Sequence, residues 1–294
     1  MKYTLYLALL IVNCQLLIIN CPAQIAPLFK ALALCTNDSC RQTANKEILA
    51  KLEPALKADA QMKFSFEGVE NCGVLVSDNK NLRIINWNLP SDTGETQYFG
   101  FMQVYNSRLK KYISFKLTDK SSTFAQPDRG VLTPDKWYGC LYYNIIETKA
   151  GSNKLYTLFG VDFANGLLNR KVIEVLTINS KGVPSFGGNY FQQYYPKPKK
   201  EGAGQDPGMP KAKQFQGKKT LLKTRVLLEF KAGVQVKLVY NSGIKTIEVP
   251  HLSPDNPSLV GQFQFYGPDF STDAYKWENG KWVIYEDMDA RNRK

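Results

Sequence analysis

Short runs of β-branched and aromatic residues, separated by Asn, Asp, Gly, Ser and Lys, follow one another from Phe64 to Tyr285. This pattern is typical of β-strands joined by tight turns. Nearly all gaps between the runs are too short for the crossover that a parallel pair needs, so successive runs are expected to pair antiparallel. The sequence therefore predicts a mainly β protein, an antiparallel meander closed as a barrel or folded into a sandwich.

The predicted strands are Phe64–Val69, Gly73–Ser77, Leu82–Asn88, Gln97–Tyr105, Tyr112–Leu117, Tyr138–Glu147, Leu155–Asp162, Val172–Ile178, Arg225–Lys231, Val234–Tyr240, Ile244–Val249, Ala274–Trp277 and Lys281–Tyr285. No internal repeat accompanies them, which argues against a propeller. The most specific prediction is the last hairpin, because Asn279-Gly280 suits a two-residue type I′ turn. That turn places Trp277 opposite Trp282 and puts both rings on a core-facing side of the sheet.

A short helical segment at residues 24–62 is expected to precede a β domain at residues 63–294. One helix is predicted over Ala26 to Leu34. A second is predicted to be capped by Thr43, because apolar residues recur at helical spacing from Ile48 to Leu56. Pro54 is expected to kink this helix or to split it.

The first 23 residues resemble a signal peptide. Lys2 precedes an apolar run, and Ala23 suits the position before a cleavage site. A mature chain that begins at Gln24 is therefore predicted. A retained membrane helix and a lipid anchor on Cys21 are the alternatives, and no later stretch is apolar enough to span a bilayer.

Four cysteines remain after residue 23, namely Cys35, Cys40, Cys72 and Cys140. An exported protein keeps disulfides, and the short spacing of Cys35 and Cys40 favours a bond between them. A bond between Cys72 and Cys140 is left open. Zinc is not expected, since the sequence has one histidine and no C-x-x-C motif.

The net charge is +12, and seven lysines against two acidic residues place +5 of it in one stretch of the chain. Residues 194–219 are rich in lysine, proline and glycine, and a mobile basic loop is predicted there. Such a loop is expected to be simply solvated, with contact to an anionic glycan or lipid as the alternative. A nucleic-acid partner is not expected.

Enzyme motifs such as G-x-S-x-G, a P-loop and H-E-x-x-H are absent from the sequence. His251 is the only histidine, and it is either a general base oriented by Asp255 or a strand-end residue bonded to nearby backbone. No cofactor is predicted, apart from calcium at Asp269 and Asp273, which are expected to flank a short loop. The alternative is that these residues are turn aspartates.

Aromatic residues make up 12% of the chain, and most occupy alternate strand positions that face the core. The doublets Tyr142-Tyr143 and Tyr194-Tyr195 are exceptions. In a sheet with one solvated face, each doublet places one ring outside, where a sugar can stack on it.

The strings WYGCLYYNII, LYTLFGVD, IEVPHLSPDNPSLVGQFQFYGPDF and DAYKWENGKWVIYEDMDARN resemble an uncharacterised family of exported proteins from Bacteroidota. The likeness covers the chain from about Leu82 onward. It implies an extracytoplasmic β-rich protein, and it transfers no catalytic residue.

The sequence thus predicts an exported protein, periplasmic or at the outer surface. It is expected to bind or scaffold without catalysis, with an envelope glycan or another envelope protein as partner. The alternative is a carboxylate-dependent hydrolase acting on polysaccharide. That alternative requires at least two of Asp255, Asp269, Asp273 and Asp287 to converge in a concave site.

Overall fold

The computed structural model describes residues 24–193 and 223–285. The predicted signal segment at residues 1–23 and the predicted basic loop at residues 194–219 lie outside this part, as do Tyr194, Tyr195 and Asp287. The predictions for these segments therefore stay predictions.

Two helices open the described chain, α1 (Ala26–Ala33) and α2 (Asp38–Ala58). The prediction that Thr43 caps the second helix is wrong. Asn37 is the N-cap and its side chain accepts a hydrogen bond from the Cys40 N–H at 2.9 Å, whereas the Thr43 hydroxyl bonds to the Ser39 carbonyl inside the helix. The helix also runs unbroken through Pro54, so it is not split.

The predicted disulfide between Cys35 and Cys40 is confirmed, with the two Cα atoms 5.4 Å apart. It ties the end of α1 to the first turn of α2. Cys72 and Cys140 are free thiols, so the open pairing between them is not formed. Burial raises the pKa of the Cys72 thiol to about 12.

The strands are β1 (Gly73–Val76), β2 (Leu82–Pro90), β3 (Thr96–Asn106), β4 (Lys111–Thr118), β5 (Leu141–Ala150), β6 (Asn153–Asp162), β7 (Leu168–Ile178), β8 (Pro184–Phe186), β9 (Phe191–Gln193), β10 (Arg225–Lys231), β11 (Val239–Asn241), β12 (Thr246–Pro254), β13 (Tyr266–Glu278) and β14 (Lys281–Tyr285). The first sheet has the order β1-β2-β3-β4. The middle sheet has the order β10-β7-β6-β5 with β8 beside β7, and the third has the order β11-β12-β13-β14-β9.

The predicted antiparallel meander is confirmed within each sheet, with two corrections. No sheet in the described residues closes on itself, so the barrel alternative is wrong and the arrangement is at most sandwich-like. The pair β9 and β14 is parallel. That pair is possible because a long stretch of chain separates the two strands and supplies the crossover.

Three buried clusters define four layers. The helices pack on the outer face of the first sheet, where Phe29, Ile48 and Leu52 meet Trp87. The inner face of the first sheet packs on the middle sheet, and the other face of the middle sheet packs on the third. Both faces of the middle sheet are therefore covered over much of their area, and Val172 to Leu176 are buried without interruption.

The last hairpin has the predicted register, with Trp277 opposite Trp282 and their ring centroids 5.0 Å apart. The predicted strand Phe64–Val69 is not formed. The backbone N–H groups of Lys63 and Phe64 donate to the Asp59 carboxylate instead, and the Phe64 carbonyl accepts from Arg83. These bonds replace the ladder that a strand would need.

Several strand boundaries also differ from the predictions, among them the starts of β11 and β13. Residues 234–238 pair with no other strand, so β11 begins at Val239 and these residues are an extended segment. The strand β13 begins at Tyr266, not at Ala274, because it pairs with β12 across a bulge between Pro250 and Leu252. No helix in the described residues has the length and apolar character needed to cross a bilayer.

Candidate functional site

The candidate site is a groove on the face of the middle sheet that turns toward the third sheet. Val161, Lys171 and Leu228 are cross-strand partners in one row of this face. The next row, which contains Phe159 and Ile173, is buried in the core shared with the third sheet. Beside Val161 and Lys171 a hollow of about 480 Å³ opens to the surface.

A second hollow of about 670 Å³ lies between the end of α1, the end of β2 and the start of β5. The two hollows share Tyr143 and Val161. We call them together the Tyr143 groove, with a helical end and a sheet end. The helical end is lined by Leu32, Ala33, Cys35, Arg41, Asn71, Gly73, Asn86, Trp87, Asn88, Leu89, Pro90, Leu141 and Tyr142, and the sheet end by Phe163, Asn169, Lys171, Phe230 and residues 234–238.

Tyr143 lies at the junction of the two ends because β5 carries a bulge there. Tyr142 pairs with Gly160 and Asn144 pairs with Phe159, which leaves Tyr143 as the extra residue. Tyr142 is buried and Tyr143 is 41% exposed. The predicted outward placement of one ring of this doublet is thus found, and the bulge aims that ring into the groove.

Gly160 allows the buried ring of Tyr142 to lie close to the neighbouring strand. A Cβ atom at Gly160 would lie 2.6 Å from Cys140 Sγ and 3.3 Å from the Tyr142 ring. Tyr142 is also held at its backbone, since its N–H donates to Asn86 Oδ1 at 2.7 Å. The space left by Gly160 and the hydrogen bond from the Tyr142 N–H to Asn86 therefore hold the bulge in place.

Polar and charged groups are distributed along the groove. Arg41 lies at the helical end, where its Nη1 atom is 2.8 Å from Asp38 and 2.7 Å from Asp92. Lys171 and Lys237 lie at the sheet end, with the amides of Asn169 and Gln235. No aspartate or glutamate is among the described residues that line either end.

A separate hollow of about 550 Å³ lies near the β5–β6 turn and is lined by amides, hydroxyls and the rings of Tyr105, Tyr156 and Tyr190. Two of its amides are engaged by the fold, because Asn106 donates to the Lys181 carbonyl and Asn179 accepts from the Val183 N–H. Its described lining residues also include no carboxylate. Its tyrosine rings are buried or half-buried, whereas the Tyr143 ring of the groove is exposed.

The carboxylates singled out in the sequence lie elsewhere. Asp269 and Asp273 lie within β13, which carries a bulge where Asp269, Phe270 and Ser271 are opposite the single residue His251 of β12. The Nδ1 atom of His251 is 2.9 Å from Asp273 Oδ2. The structure thus pairs His251 with Asp273 and not with Asp255, which lies exposed beyond the end of β12.

Asp269 accepts hydrogen bonds from the backbone N–H and the hydroxyl of Ser271. Burial acts to raise the pKa of Asp269, but these bonds and the nearby His251 outweigh it and lower the pKa. Calcium takes six to eight oxygen ligands, and both predicted carboxylates already bind protein groups. The described residues contain no cluster of three or more His, Cys, Asp or Glu arranged to share a metal ion, so calcium stays a prediction.

Two further carboxylates are deeply buried between the first and middle sheets. Asp162 accepts hydrogen bonds from the hydroxyls of Tyr98 and Tyr138 and from Arg170. Burial is the main cause that raises the pKa of both tyrosines. Glu174 pairs with Arg225, and both carboxylates are buried, so they connect layers rather than face a ligand.

Sequence reasoning missed the cations of the groove. Lys171 alternates with Ile173 and Val175 along β7, which places a lysine on a core-facing row. That mismatch was a usable signal. The approach of Arg41 to the same groove depends on how α2 packs on the first sheet, and no local pattern reports it.

Comparisons with protein-family models, with curated proteins and with solved structures gave no match to this chain.

Proposed function

We propose that this protein is exported to the bacterial cell envelope and binds a glycan there in the Tyr143 groove, without cleaving it. The observation that carries the proposal is the chemistry of the groove. An exposed ring, side-chain amides and cations line it, and its described lining residues include no carboxylate. Sugars stack on aromatic rings and bond to amides, whereas glycoside hydrolysis uses a pair of carboxylates.

Export rests on independent support. Residues 1–23 have the pattern of a signal peptide, and a disulfide joins Cys35 to Cys40. Disulfides persist in oxidising compartments such as the periplasm and the cell surface. The resemblance to exported proteins of Bacteroidota points to the same location.

The test is a titration of the chain that begins at Gln24 with a panel of soluble bacterial and plant polysaccharides. Replacing Tyr143 with alanine removes the exposed ring, and we expect affinity for the bound polymer to fall roughly tenfold. Phe270→Ala is the matched control, since this ring is fully exposed and does not line the groove. Its affinity should equal that of the parent.

Equal affinities for the parent and Tyr143→Ala would contradict the proposal. Capture of an envelope protein by the groove, with no polysaccharide bound, would replace the glycan with a protein partner and support a scaffolding function.

A carboxylate-dependent hydrolase is the second candidate, and one observation favours it. Asp273 lies against His251, and Asp269 is close to the same histidine. Hydrolysis would release new reducing ends from a bound polysaccharide, and Asp273→Asn would abolish that release. Release of reducing ends by the parent protein would contradict binding without cleavage and would support the hydrolase.

A further inference from the structure

Lys171 occupies an unusual position for a lysine. It lies on β7, inside the middle sheet, and pairs with Val161 on one side and Leu228 on the other. Its Nζ atom is 4.9 Å from the centroid of the Tyr143 ring. The side chain is half-buried, and this burial lowers the pKa of its ammonium group.

The neighbouring cation, Arg170, differs from Lys171 because carboxylates of the protein neutralise its charge. Arg170 points to the opposite face, where its guanidinium is 2.8 Å from Glu229 and 3.2 Å from Asp162. Lys171 forms no such pair with any carboxylate in residues 24–193 and 223–285, and the Tyr143 ring is the partner that the structure gives it. A half-buried cation without a counter-ion costs stability unless a partner supplies the charge.

The surroundings of Lys171 add to this imbalance. Lys237 lines the same end of the groove, and no described lining residue there is acidic. Two cations with no acidic residue beside them give this end of the groove a positive potential, which favours an anion.

We infer that the sheet end of the Tyr143 groove binds the anionic group of an acidic glycan, a uronate carboxylate or a sulfate ester. Lys171 supplies the opposing charge, and the exposed part of the Tyr143 ring packs against the sugar that carries the anion. This inference rests on the proposed function of the groove and narrows its ligand to polyanionic polysaccharides.

The test compares a polyuronate, a sulfated polysaccharide and a neutral polysaccharide as ligands of the chain that begins at Gln24. We expect either acidic polymer to bind more tightly than the neutral one, with an affinity that falls as salt is raised. Lys171→Gln should weaken acidic binding about tenfold and remove most of its salt dependence. Lys171→Met keeps the apolar stem without the charge and should give the same loss.

Lys46→Gln is the matched control, because Lys46 is an exposed lysine of α2 that lies outside the lining of the groove. It removes the same charge and should leave every affinity unchanged. Equal binding of neutral and acidic polymers, unaffected by Lys171→Gln and Lys171→Met, would overturn this inference and leave glycan binding intact. Binding of no polysaccharide would overturn both this inference and the proposed glycan binding. If the polyuronate binds more tightly than the sulfated polymer, the anionic group is a carboxylate, and the reverse order identifies a sulfate ester.

Discussion

At the scale of single residues, the ion pair between Glu174 and Arg225 connects parts of the chain that are distant in sequence. Both side chains are fully buried, with Arg225 Nε 3.0 Å from Glu174 Oε2. Arg225 also donates to the carbonyl oxygens of Pro127, Arg129 and Gly130, and Glu174 accepts from the Tyr142 hydroxyl. This network connects the middle sheet, the loop before β5 and the residue that precedes Tyr143.

Glu174→Ala should lower the free energy of unfolding by about 3–5 kcal/mol, because it leaves the Arg225 cation buried without a counter-ion. Glu67→Ala, at an exposed glutamate, should change it by no more than about 0.5 kcal/mol. Chemical denaturation of both variants measures the difference. A loss below about 1 kcal/mol for Glu174→Ala would mean that water or a rearranged partner compensates Arg225.

At the scale of secondary-structure elements, two substitutions distinguish the observed N-cap of α2, Asn37, from the predicted one, Thr43. Asn37→Ala removes the side chain that accepts the Cys40 N–H and should cost about 1 kcal/mol. Thr43→Ala should have little effect, because Thr43 is an interior position whose hydroxyl bonds back to Ser39. Thermal unfolding of the two variants tests this, and a larger loss for Thr43→Ala would return the cap to Thr43.

Elements whose pairing is local were predictable from the sequence. The Asn279-Gly280 turn fixes the last hairpin, since positive φ at both residues selects the turn and the turn selects the register. By contrast, the full length of β13 depends on pairing that resumes beyond a bulge in β13 itself, where Asp269, Phe270 and Ser271 are opposite His251 alone. Asp, Ser, Thr and Gly in this stretch have the composition of a loop, so local propensity was overridden by pairing with β12.

The same override explains why the predicted site residues were misplaced. Asp269 and Asp273 were interpreted as loop residues, and only the register of β12 against β13 brings Asp273 to His251. The Tyr142-Tyr143 doublet was informative because two adjacent rings in a strand do not both enter one core, although the bulge that aims Tyr143 into the groove was not predicted. The spacing of Lys171 with Ile173 and Val175 was a signal of the same kind, whereas Arg41 reaches the groove through the packing of α2 on the first sheet, which composition and spacing do not report.

At the scale of the whole molecule, the groove follows from how the layers stack. The middle sheet is covered by the first sheet on one side and by the third on the other, and the row with Val161 and Lys171 lines a hollow beside the core that it shares with the third sheet. The helices, the disulfide and residues 234–238 form the walls. A ligand in this groove would therefore touch the helices, the middle sheet and residues 234–238, which only the complete fold brings together.

Hydrogen–deuterium exchange of the chain that begins at Gln24, with and without a saturating polysaccharide, locates the bound ligand on the fold. We expect the ligand to slow amide exchange in the β5 bulge around Tyr143, in β7 around Lys171 and in residues 234–238. Exchange around His251 and Asp273 should stay unchanged. Slowed exchange around His251 and Asp273, with none at Tyr143, would contradict the assignment of the groove as the binding site.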